Sequence, residues 1–230
     1  VGLIGTNGAG KSTLLNAVGG YVPAAGRIEL NGKDVTNLAA YQRARRGLGR
    51  TFQSAELFPE LTVREALMVS LEARQRSLLL PSMTGLPPSP GHERSKKAEA
   101  GEIIDYLGLG RYADQVIGAL STGTRRIVEL GSLLAVDARV LLLDEPTGGV
   151  AQRETEAFGP LIKRIQEELE AAVVVIEHDM PLVMGISDRV YCLESGAIIA
   201  EGEPDDVRND PLVIASYLGG DPRAIEWSDT

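Results

Sequence analysis

The sequence predicts an α/β fold built on a mainly parallel sheet. Two continuous apolar runs, "VLLLD" (140–144) and "AVVVIE" (172–177), are typical of strands buried on both faces of a parallel sheet. A stretch with helical spacing separates them, which makes a β–α–β unit. Pro160 lies inside that stretch and predicts either a kink or the start of a new helix.

Shorter patterns place the first strand, the first helix and two hairpins. The run "VGLI" (1–4) is typical of a buried strand, and helix signals follow over residues 11–18. An Asn-Gly pair predicts a tight turn within residues 27–35, and a Ser-Gly pair predicts a second hairpin within residues 189–202.

The middle of the chain is predicted to be helical. Apolar residues recur at helical spacing within residues 62–76, and a charged helix is expected at about residues 93–107. Between them, residues 81–91 are rich in proline and glycine and predict a loop or a mobile insertion. We expect residues 78–97 to tolerate shortening, because loop length changes the folding entropy only slightly.

Composition excludes several classes of protein. The 230 residues, 43% of them hydrophobic, suffice for the core of one domain, with one lobe or two. A net charge of −9 without an evident basic stripe argues against duplex binding. The single cysteine, Cys192, excludes an internal disulfide framework and suits a reducing compartment. The longest apolar runs are too short to cross a bilayer, and no signal peptide is visible.

A phosphate-binding loop is predicted directly after the first strand. "GTNGAGKST" fits G-x-x-x-x-G-K-[ST], in which backbone N–H groups surround phosphate oxygens, the lysine reaches the β- and γ-phosphates and the serine hydroxyl holds Mg²⁺. A glycine-rich turn with an exposed lysine is the structural alternative, and the flanking strand and helix argue against it. The candidate ATP-binding residues are Gly5, Thr6, Asn7, Gly8, Ala9, Gly10, Lys11, Ser12 and Thr13.

Two carboxylates and a histidine follow buried strands. Asp144 lies at the C-terminal end of its strand, the sheet edge where ligands bind, and can bind Mg²⁺ through water. Glu145 points elsewhere and can act as general base for an attacking water. His178 follows the next buried strand and can donate to a γ-phosphate. On the residues alone, solvated acids at a strand end and a loop histidine satisfied by the backbone remain the alternatives.

Five motifs, taken together, point to a known family. In order, they are the phosphate loop (5–13), "RTFQ" (50–53), "LSTGT" (120–124), "LLLDEPTGG" (141–149) and "IEHD" (176–179). By their order the chain resembles ABC-type ATPases over nearly its whole length. The long spacer between Gln53 and Leu120, together with "DPLVIASYLGG" (210–220), resembles the ATP-binding subunits of branched-chain amino-acid uptake transporters.

This resemblance implies an architecture and a location. A P-loop NTPase (RecA-like) core would comprise about residues 1–60 and 137–220, within a single ABC ATPase domain that spans 1–230. An α-helical signature subdomain would cover about 61–136, a truncated antiparallel β-subdomain would belong to the core lobe, and residues 221–230 would form a tail. The protein would lie peripherally on the cytoplasmic face of the plasma membrane.

The resemblance also implies roles for single residues. Glu145 would be the general base, and His178 would hold the γ-phosphate and the geometry of the water. Gln53 would touch Mg²⁺ or the attacking water at the hinge to the helical lobe, although alone it is typical of a surface glutamine. Ser121 and Gly123 would meet the γ-phosphate of ATP bound to a second subunit, whereas a plain helix cap at Ser121 is compatible with the same residues. The implied metal-site residues are Ser12, Gln53 and Asp144.

The implied partners are a second ATP-binding subunit, in a homodimer or heterodimer, and a transmembrane permease. ATP would be sandwiched between the two subunits, and hydrolysis would separate them. The acidic balance argues against a nucleic-acid partner.

The sequence departs from the family pattern at several positions. Thr122 stands where most relatives have glycine, and Thr124 replaces the usual glutamine. Ala151 stands where many relatives have an aspartate that helps to link the two ATP sites. Members of the family usually stack adenine on an aromatic residue upstream of the phosphate loop, and this sequence has none there. Val1 already lies inside an apolar run, so we expect the sequence to have been cut from a longer chain.

Two other classes of function are alternatives to a transport ATPase. An ABC-type ATPase acting in DNA repair would carry a long coiled coil before "LSTGT", and one acting in translation would carry two ATPase units. Neither feature is present. A nucleotide-binding regulator without hydrolysis is disfavoured by intact Lys11, Asp144, Glu145 and His178.

Overall fold

A computed structural model describes residues 1–53, 57–74 and 90–218. The chain divides into two compact units. The first combines Val1–Gln53 with Arg139–Thr230, and the second is Ser54–Ala138.

The strands of the first unit form one large and one small sheet. In chain order the strands are β1 Gly2–Ile4, β2 Glu29–Leu30, β3 Lys33–Asp34, β4 Leu48–Arg50, β5 Val140–Asp144, β6 Ala172–Ile176, β7 Val190–Glu194 and β8 Ala197–Gly202. Over the described residues, six of them form a sheet in the order β4-β5-β6-β1-β7-β8, and β2 pairs with β3. Every neighbouring pair of the large sheet is parallel except β7 with β8, so the predicted mainly parallel sheet is confirmed.

Helices in the described part of the chain flank this sheet in the first unit and build the second unit. They are α1 Lys11–Gly19, α2 Ala40–Ala44, α3 Val63–Arg74, α4 Pro90–Tyr106, α5 Thr122–Ala135, α6 Gln152–Thr155, α7 Phe158–Leu169, α8 Met180–Ile186, α9 Pro204–Arg208 and α10 Pro211–Leu218. Of these, α3, α4 and α5 belong to the second unit. Two 3₁₀ turns, Gly110–Tyr112 and Ile117–Ala119, precede α5.

The buried centre of the first unit follows from the two apolar runs. Strand β5 lies between β4 and β6, and Leu141, Leu142 and Leu143 are each at most 1% exposed. Pro160 lies in the first turn of α7 after the short α6 has ended, so of the two predicted outcomes, a kink or a new helix, the new helix is the one observed. The missing proline N–H is harmless there, because first-turn N–H groups have no intrahelical acceptor.

Both predicted hairpins are present. Asn31 and Gly32 have φ of 51° and 71°, and Ser195 and Gly196 have φ of 49° and 82°. Two consecutive residues with positive φ match the right-handed twist of the flanking strands, which is why Asn-Gly and Ser-Gly pairs suit these turns.

The second unit has its own apolar core. Most of the side chains buried in it come from α3, α4 and α5, and they include Leu67, Leu71, Ile104 and Val128. The predicted loop over residues 81–91 is wrong at its end, because α4 begins at Pro90, and proline suits the first position of a helix. The prediction for the rest of that loop falls on residues outside the described ranges.

Arg43 connects α1 to the segment that follows the small sheet. It is 3% exposed, and its guanidinium donates to the carbonyls of Ala17 and Val18 at 2.7 and 2.6 Å. It also donates to the carbonyls of Thr36 and Leu38 at 2.8 and 2.9 Å. A cation at the C-terminus of a helix satisfies free carbonyls and complements the helix dipole. Arg43 therefore anchors the far end of the helix that follows the phosphate loop.

Replacement of Arg43 by methionine is expected to lower the free energy of unfolding by about 3 kcal/mol, because four partly buried carbonyls lose a charged donor. Chemical denaturation measures the change. Arg46→Met is the matched control, since Arg46 is exposed and donates only to the Gln42 carbonyl among the contacts described for it. Equal stability of the two variants would contradict the anchoring role of Arg43.

Candidate functional site

The loop from Gly5 to Gly10 joins β1 to α1 at the C-terminal edge of the parallel strands. Gly5 has a φ of 141°, and a Cβ atom built there would lie 2.1 Å from the Leu193 carbonyl oxygen. Gly10 precedes α1 with a φ of 102°. Only glycine suits both positions, since one has no room for a side chain and both have positive φ.

Lys11 lies across this loop. Its Nζ atom donates to the carbonyls of Gly5 at 2.6 Å and Thr6 at 3.1 Å, and the residue is 6% exposed. Burial lowers the pKa of Lys11, and the nearby carboxylates of Glu145 and Asp144 oppose that shift. The loop thus holds a cation close to its own backbone.

The first turn of α1 is open to solvent on the loop side. The first hydrogen bond of that helix runs from the Leu14 N–H to the Gly10 carbonyl at 2.9 Å. The N–H groups of residues 11–13 therefore have no acceptor within the helix. Of the predicted loop residues, Gly5, Ala9 and Lys11 are buried, and the exposed ones are Asn7, Gly8, Ser12 and Thr13. Unpaired N–H groups and the helix dipole make this end of α1 favourable for an anion.

Asp144 is held from three sides at the end of β5. It is 3% exposed, and its Oδ1 accepts from the Ser12 hydroxyl at 3.2 Å. Its Oδ2 lies 3.3 Å from Nη2 of Arg50, and its backbone N–H donates to the Thr51 hydroxyl at 3.1 Å. Two predicted metal-site oxygens, those of Ser12 and Asp144, therefore converge.

Glu145 lies between two other predicted residues. Its Oε1 is 3.1 Å from Nε2 of His178, and its Oε2 accepts from Nε2 of Gln53 at 3.1 Å. Because an ionised carboxylate only accepts hydrogen bonds, a neutral His178 that pairs with it carries its hydrogen on Nε2. Glu145 has a φ of 49°, a backbone conformation that non-glycine residues rarely adopt. The geometry thus brings Gln53, Glu145 and His178 together.

Arg50 is not among the predicted site residues, although it lies in "RTFQ". Arg50 and Asp144 have side chains that are 6% and 4% exposed. The guanidinium carbon of Arg50 lies 5.1 Å from the ring centre of Tyr21 and 5.0 Å from that of Phe52, so two aromatic rings hold it against Asp144. In the structure, Arg50 pairs with Leu142 of the neighbouring strand, two residues before Asp144, and this register places Arg50 near the end of β5.

Glu177 was missed in the same way, although "IEHD" contains it. It is 4% exposed and accepts from the backbone N–H and the hydroxyl of Thr147 at 2.7 and 2.6 Å. Its other oxygen accepts from the His178 N–H at 3.1 Å. Glu177 therefore ties the segment that follows Glu145 to the segment that carries His178.

Ser121 and Gly123 belong to the second unit. Ser121 is the N-cap of α5, where its exposed hydroxyl accepts from the Thr124 N–H at 3.2 Å and lies 2.9 Å from the Thr124 hydroxyl. Gly123 is buried in the first turn of that helix. The helix cap that is compatible with these residues is therefore present at Ser121.

The family follows from the comparison of this chain with known proteins. The family model described as "ABC transporter" matches residues 1–148, which contain the phosphate loop, Asp144 and Glu145. The chain belongs to the ABC transporter family. A second family model, "Branched-chain amino acid ATP-binding cassette transporter", matches residues 197–223 of this ABC protein.

Curated relatives agree with this assignment. The protein is 38% identical over 223 residues to the high-affinity branched-chain amino acid transport ATP-binding protein BraF of Pseudomonas aeruginosa, and 38% identical over 223 residues to LivG of Escherichia coli. Each alignment covers 95% of this chain and 86% of the relative. The lipopolysaccharide export system ATP-binding protein LptB of Haemophilus influenzae is 36% identical, with coverage of 95% and 85%.

Solved structures agree with the fold. A nucleotide-free ATP-binding cassette from an ABC transporter is 29% identical with a TM-score of 0.77, over 94% of this chain and 86% of that chain. A dimeric cassette in a post-hydrolysis state, bound to ADP and Pi, is 25% identical with a TM-score of 0.73, over 88% and 84%. The protein is thus an ATP-binding, ATP-hydrolysing subunit of an ABC transporter. The alternative role in DNA repair or translation finds no support in these comparisons.

ATP-binding subunits of such transporters work as dimers with permease components. Among the described helices of this ABC subunit, none is both long enough and apolar enough to span a membrane. The same residues contain no cluster of three or more His, Cys, Asp or Glu side chains that could hold a metal ion. The oxygens of Ser12 and Asp144 nevertheless fit Mg²⁺, since this ion prefers hard oxygen ligands and is bound by few protein groups beside phosphate and water.

Proposed function

We propose that this subunit powers the import of branched-chain amino acids or related small polar solutes. The observation that carries the proposal is the match of residues 197–223 to the branched-chain amino acid cassette model. Identities of 38% to BraF and LivG support it, and they slightly exceed the 36% identity to LptB.

In this proposal, residues 5–13 bind the phosphates of ATP. Loop and first-turn N–H groups surround the phosphate oxygens, and Lys11 exchanges its contacts with the loop carbonyls for contacts with the β- and γ-phosphates. The buried position of Lys11 supports this, because a cation that is poorly hydrated gains more from an anionic ligand. The loop therefore supplies both orientation and charge.

Mg²⁺, when bound, would neutralise charge on the β- and γ-phosphates. Ser12, Asp144 and Gln53 would hold it. Asp144 is supported from two sides by Ser12 and Arg50, so its carboxylate is oriented before any ligand binds. Arg50 is in turn restrained by its aromatic neighbours.

Glu145 would be the general base. It takes a proton from a water molecule as the water oxygen bonds to the γ-phosphorus, and the bond to the bridging oxygen breaks so that ADP leaves with that electron pair. Gln53 and His178 contact opposite oxygens of Glu145 and would orient its carboxylate. Gln53 would also contact the water, and His178 would also contact the γ-phosphate. Thr147 and Glu177 would fix the backbone on either side of this group.

A second subunit, identical or homologous, would complete each ATP site. Ser121 and Gly123 would meet the γ-phosphate bound to that partner, since an exposed hydroxyl at the N-terminus of α5 suits an anion. ATP would close the dimer and hydrolysis would open it. The helical part at about residues 61–136 would face the permease at the cytoplasmic side of the plasma membrane.

Uptake of radiolabelled leucine into cells that produce the complete transporter tests this proposal. With Lys11→Ala we expect uptake to fall to the level of cells without the permease, because the phosphates lose their cation. Lys33→Ala, at the exposed first residue of β3, is the control and should leave uptake unchanged. Leucine, isoleucine and valine uptake that does not depend on Lys11 would refute the solute assignment.

A further inference from the structure

The motif "DPLVIASYLGG" (210–220) has no part in the chemistry described above. In the structure its helix α10 brings Tyr217 to the start of the phosphate loop. The Gly5 N–H donates to the Tyr217 hydroxyl oxygen at 2.7 Å, across a sequence separation of 212 residues. Burial raises the pKa of Tyr217, so the hydroxyl is protonated at neutral pH. The hydrogen bond is therefore between two neutral groups in a partly buried position.

Two further contacts hold the same loop from the C-terminal part of the chain. The Gly196 N–H, in the turn between β7 and β8, donates to the Ala9 carbonyl at 2.9 Å. At the other end of the loop, Gly5 lies so close to the Leu193 carbonyl that no side chain fits between them. Residues 190–217 thus fix both ends of the loop that the first residues of the chain form.

We propose that Tyr217 is a positioning residue for ATP binding, because its hydroxyl fixes the Gly5 peptide and with it the path of the phosphate loop. This inference rests on the proposed role of residues 5–13 in binding phosphate. Glycine has the widest backbone conformational freedom of any residue type. A hydrogen bond from the Gly5 N–H therefore restricts the loop more than the same bond would at a residue with a side chain. Without the hydroxyl, ATP binding has to order the loop and loses affinity.

The chemical step depends on other contacts. Glu145 is oriented by Gln53 and His178, and Asp144 by Ser12 and Arg50. The hydrogen bond of the Tyr217 hydroxyl is instead with the Gly5 N–H at the start of the phosphate loop. Loss of the Tyr217 hydroxyl should therefore change KM and leave kcat nearly constant.

Tyr217→Phe tests the proposal, since it removes one oxygen and keeps the ring. We expect the Kd and the KM for ATP to rise about ten-fold, which corresponds to about 1.4 kcal/mol. We also expect faster hydrogen–deuterium exchange in peptides that contain residues 5–10, measured without nucleotide. Tyr41→Phe is the matched control, because Tyr41 is 60% exposed in the same unit, and it should change neither quantity.

Two results would overturn the proposal. One is an unchanged KM with unchanged exchange in Tyr217→Phe. The other is a lower melting temperature with an unchanged KM, which indicates a packing role only. If the unmodified protein itself failed to bind ATP, the proposed function would be wrong, while the exchange measurement would still decide whether Tyr217 holds the loop.

Discussion

Glu145→Gln is expected to bind ATP with nearly normal affinity and to hydrolyse it at least about 100-fold more slowly, the lower end of what a general base contributes. Glutamine keeps the size and one carbonyl oxygen of glutamate, so the Gln53 amide retains an acceptor. It cannot take a proton from water. Lys11, Ser12 and Asp144, which would hold the nucleotide and its metal, keep their contacts.

Phosphate release and calorimetric titration with ATP measure the two quantities separately. Glu168→Gln is the control, because it makes the same chemical change on an exposed position of α7. It should hydrolyse ATP at the normal rate. Hydrolysis by Glu145→Gln at the rate of the unmodified protein would show that another group takes the proton.

The parts of the fold that could be predicted are those with a local cause. The strand that ends at Asp144 is marked by a continuous apolar run, and the turn at Asn31 is marked by the pair it forms with glycine. The phosphate loop is defined by spacing alone, because nearly all of its groups are consecutive in the chain. Local patterns therefore located the ends of the strands and the residues that follow them.

The parts that could not be predicted depend on distant partners. Arg50 contacts a carboxylate 94 positions away, and Tyr217 contacts an N–H group 212 positions away. Nothing in the composition around either residue distinguishes it from a surface side chain. Burial of Arg43 against the end of α1 is of the same kind, since its acceptors are backbone carbonyls that carry no sequence signal.

The start of α4 shows a second limit. Proline and glycine at residues 90 and 91 predict a loop, but Pro90 opens a helix. A proline is compatible with either outcome, because it fixes φ near the helical value and lacks only an N–H that the first turn does not use. Which outcome occurs depends on the apolar face that follows, where Ala100 and Ile104 are buried.

Ser121→Asp is expected to keep the stability of the protein and to lose most of its ATPase activity. Aspartate caps a helix as well as serine does, so the Thr124 N–H retains its acceptor and α5 remains intact. If Ser121 faces the γ-phosphate bound to a partner subunit, the new carboxylate meets an anion. Like charges brought together at an interface cost several kcal/mol, which corresponds to a loss of at least about 100-fold in turnover.

Ser121→Asn separates charge from shape. Asparagine caps the helix equally well and is nearly the same size as aspartate, but it is neutral, so we expect it to retain much more activity than Ser121→Asp.

Ser121→Arg should leave ATP binding to the single subunit unchanged and should prevent ATP-driven dimerisation in a Glu145→Gln background, because its bulk fills the interface. Thr122→Gly, one residue further on, should be tolerated, since it adds backbone freedom and removes no phosphate contact.

Thermal melting, steady-state ATPase assays and size-exclusion chromatography with ATP follow these variants. A helix cap with no other role predicts that Ser121→Asp is both stable and fully active, because capping depends only on an acceptor oxygen near the Thr124 N–H. A phosphate-facing residue predicts that the same variant is stable and inactive. Both roles of Ser121 therefore predict a stable fold for this variant, but they predict different turnover. A stable, fully active Ser121→Asp protein would exclude "LSTGT" (120–124) from the ATP site.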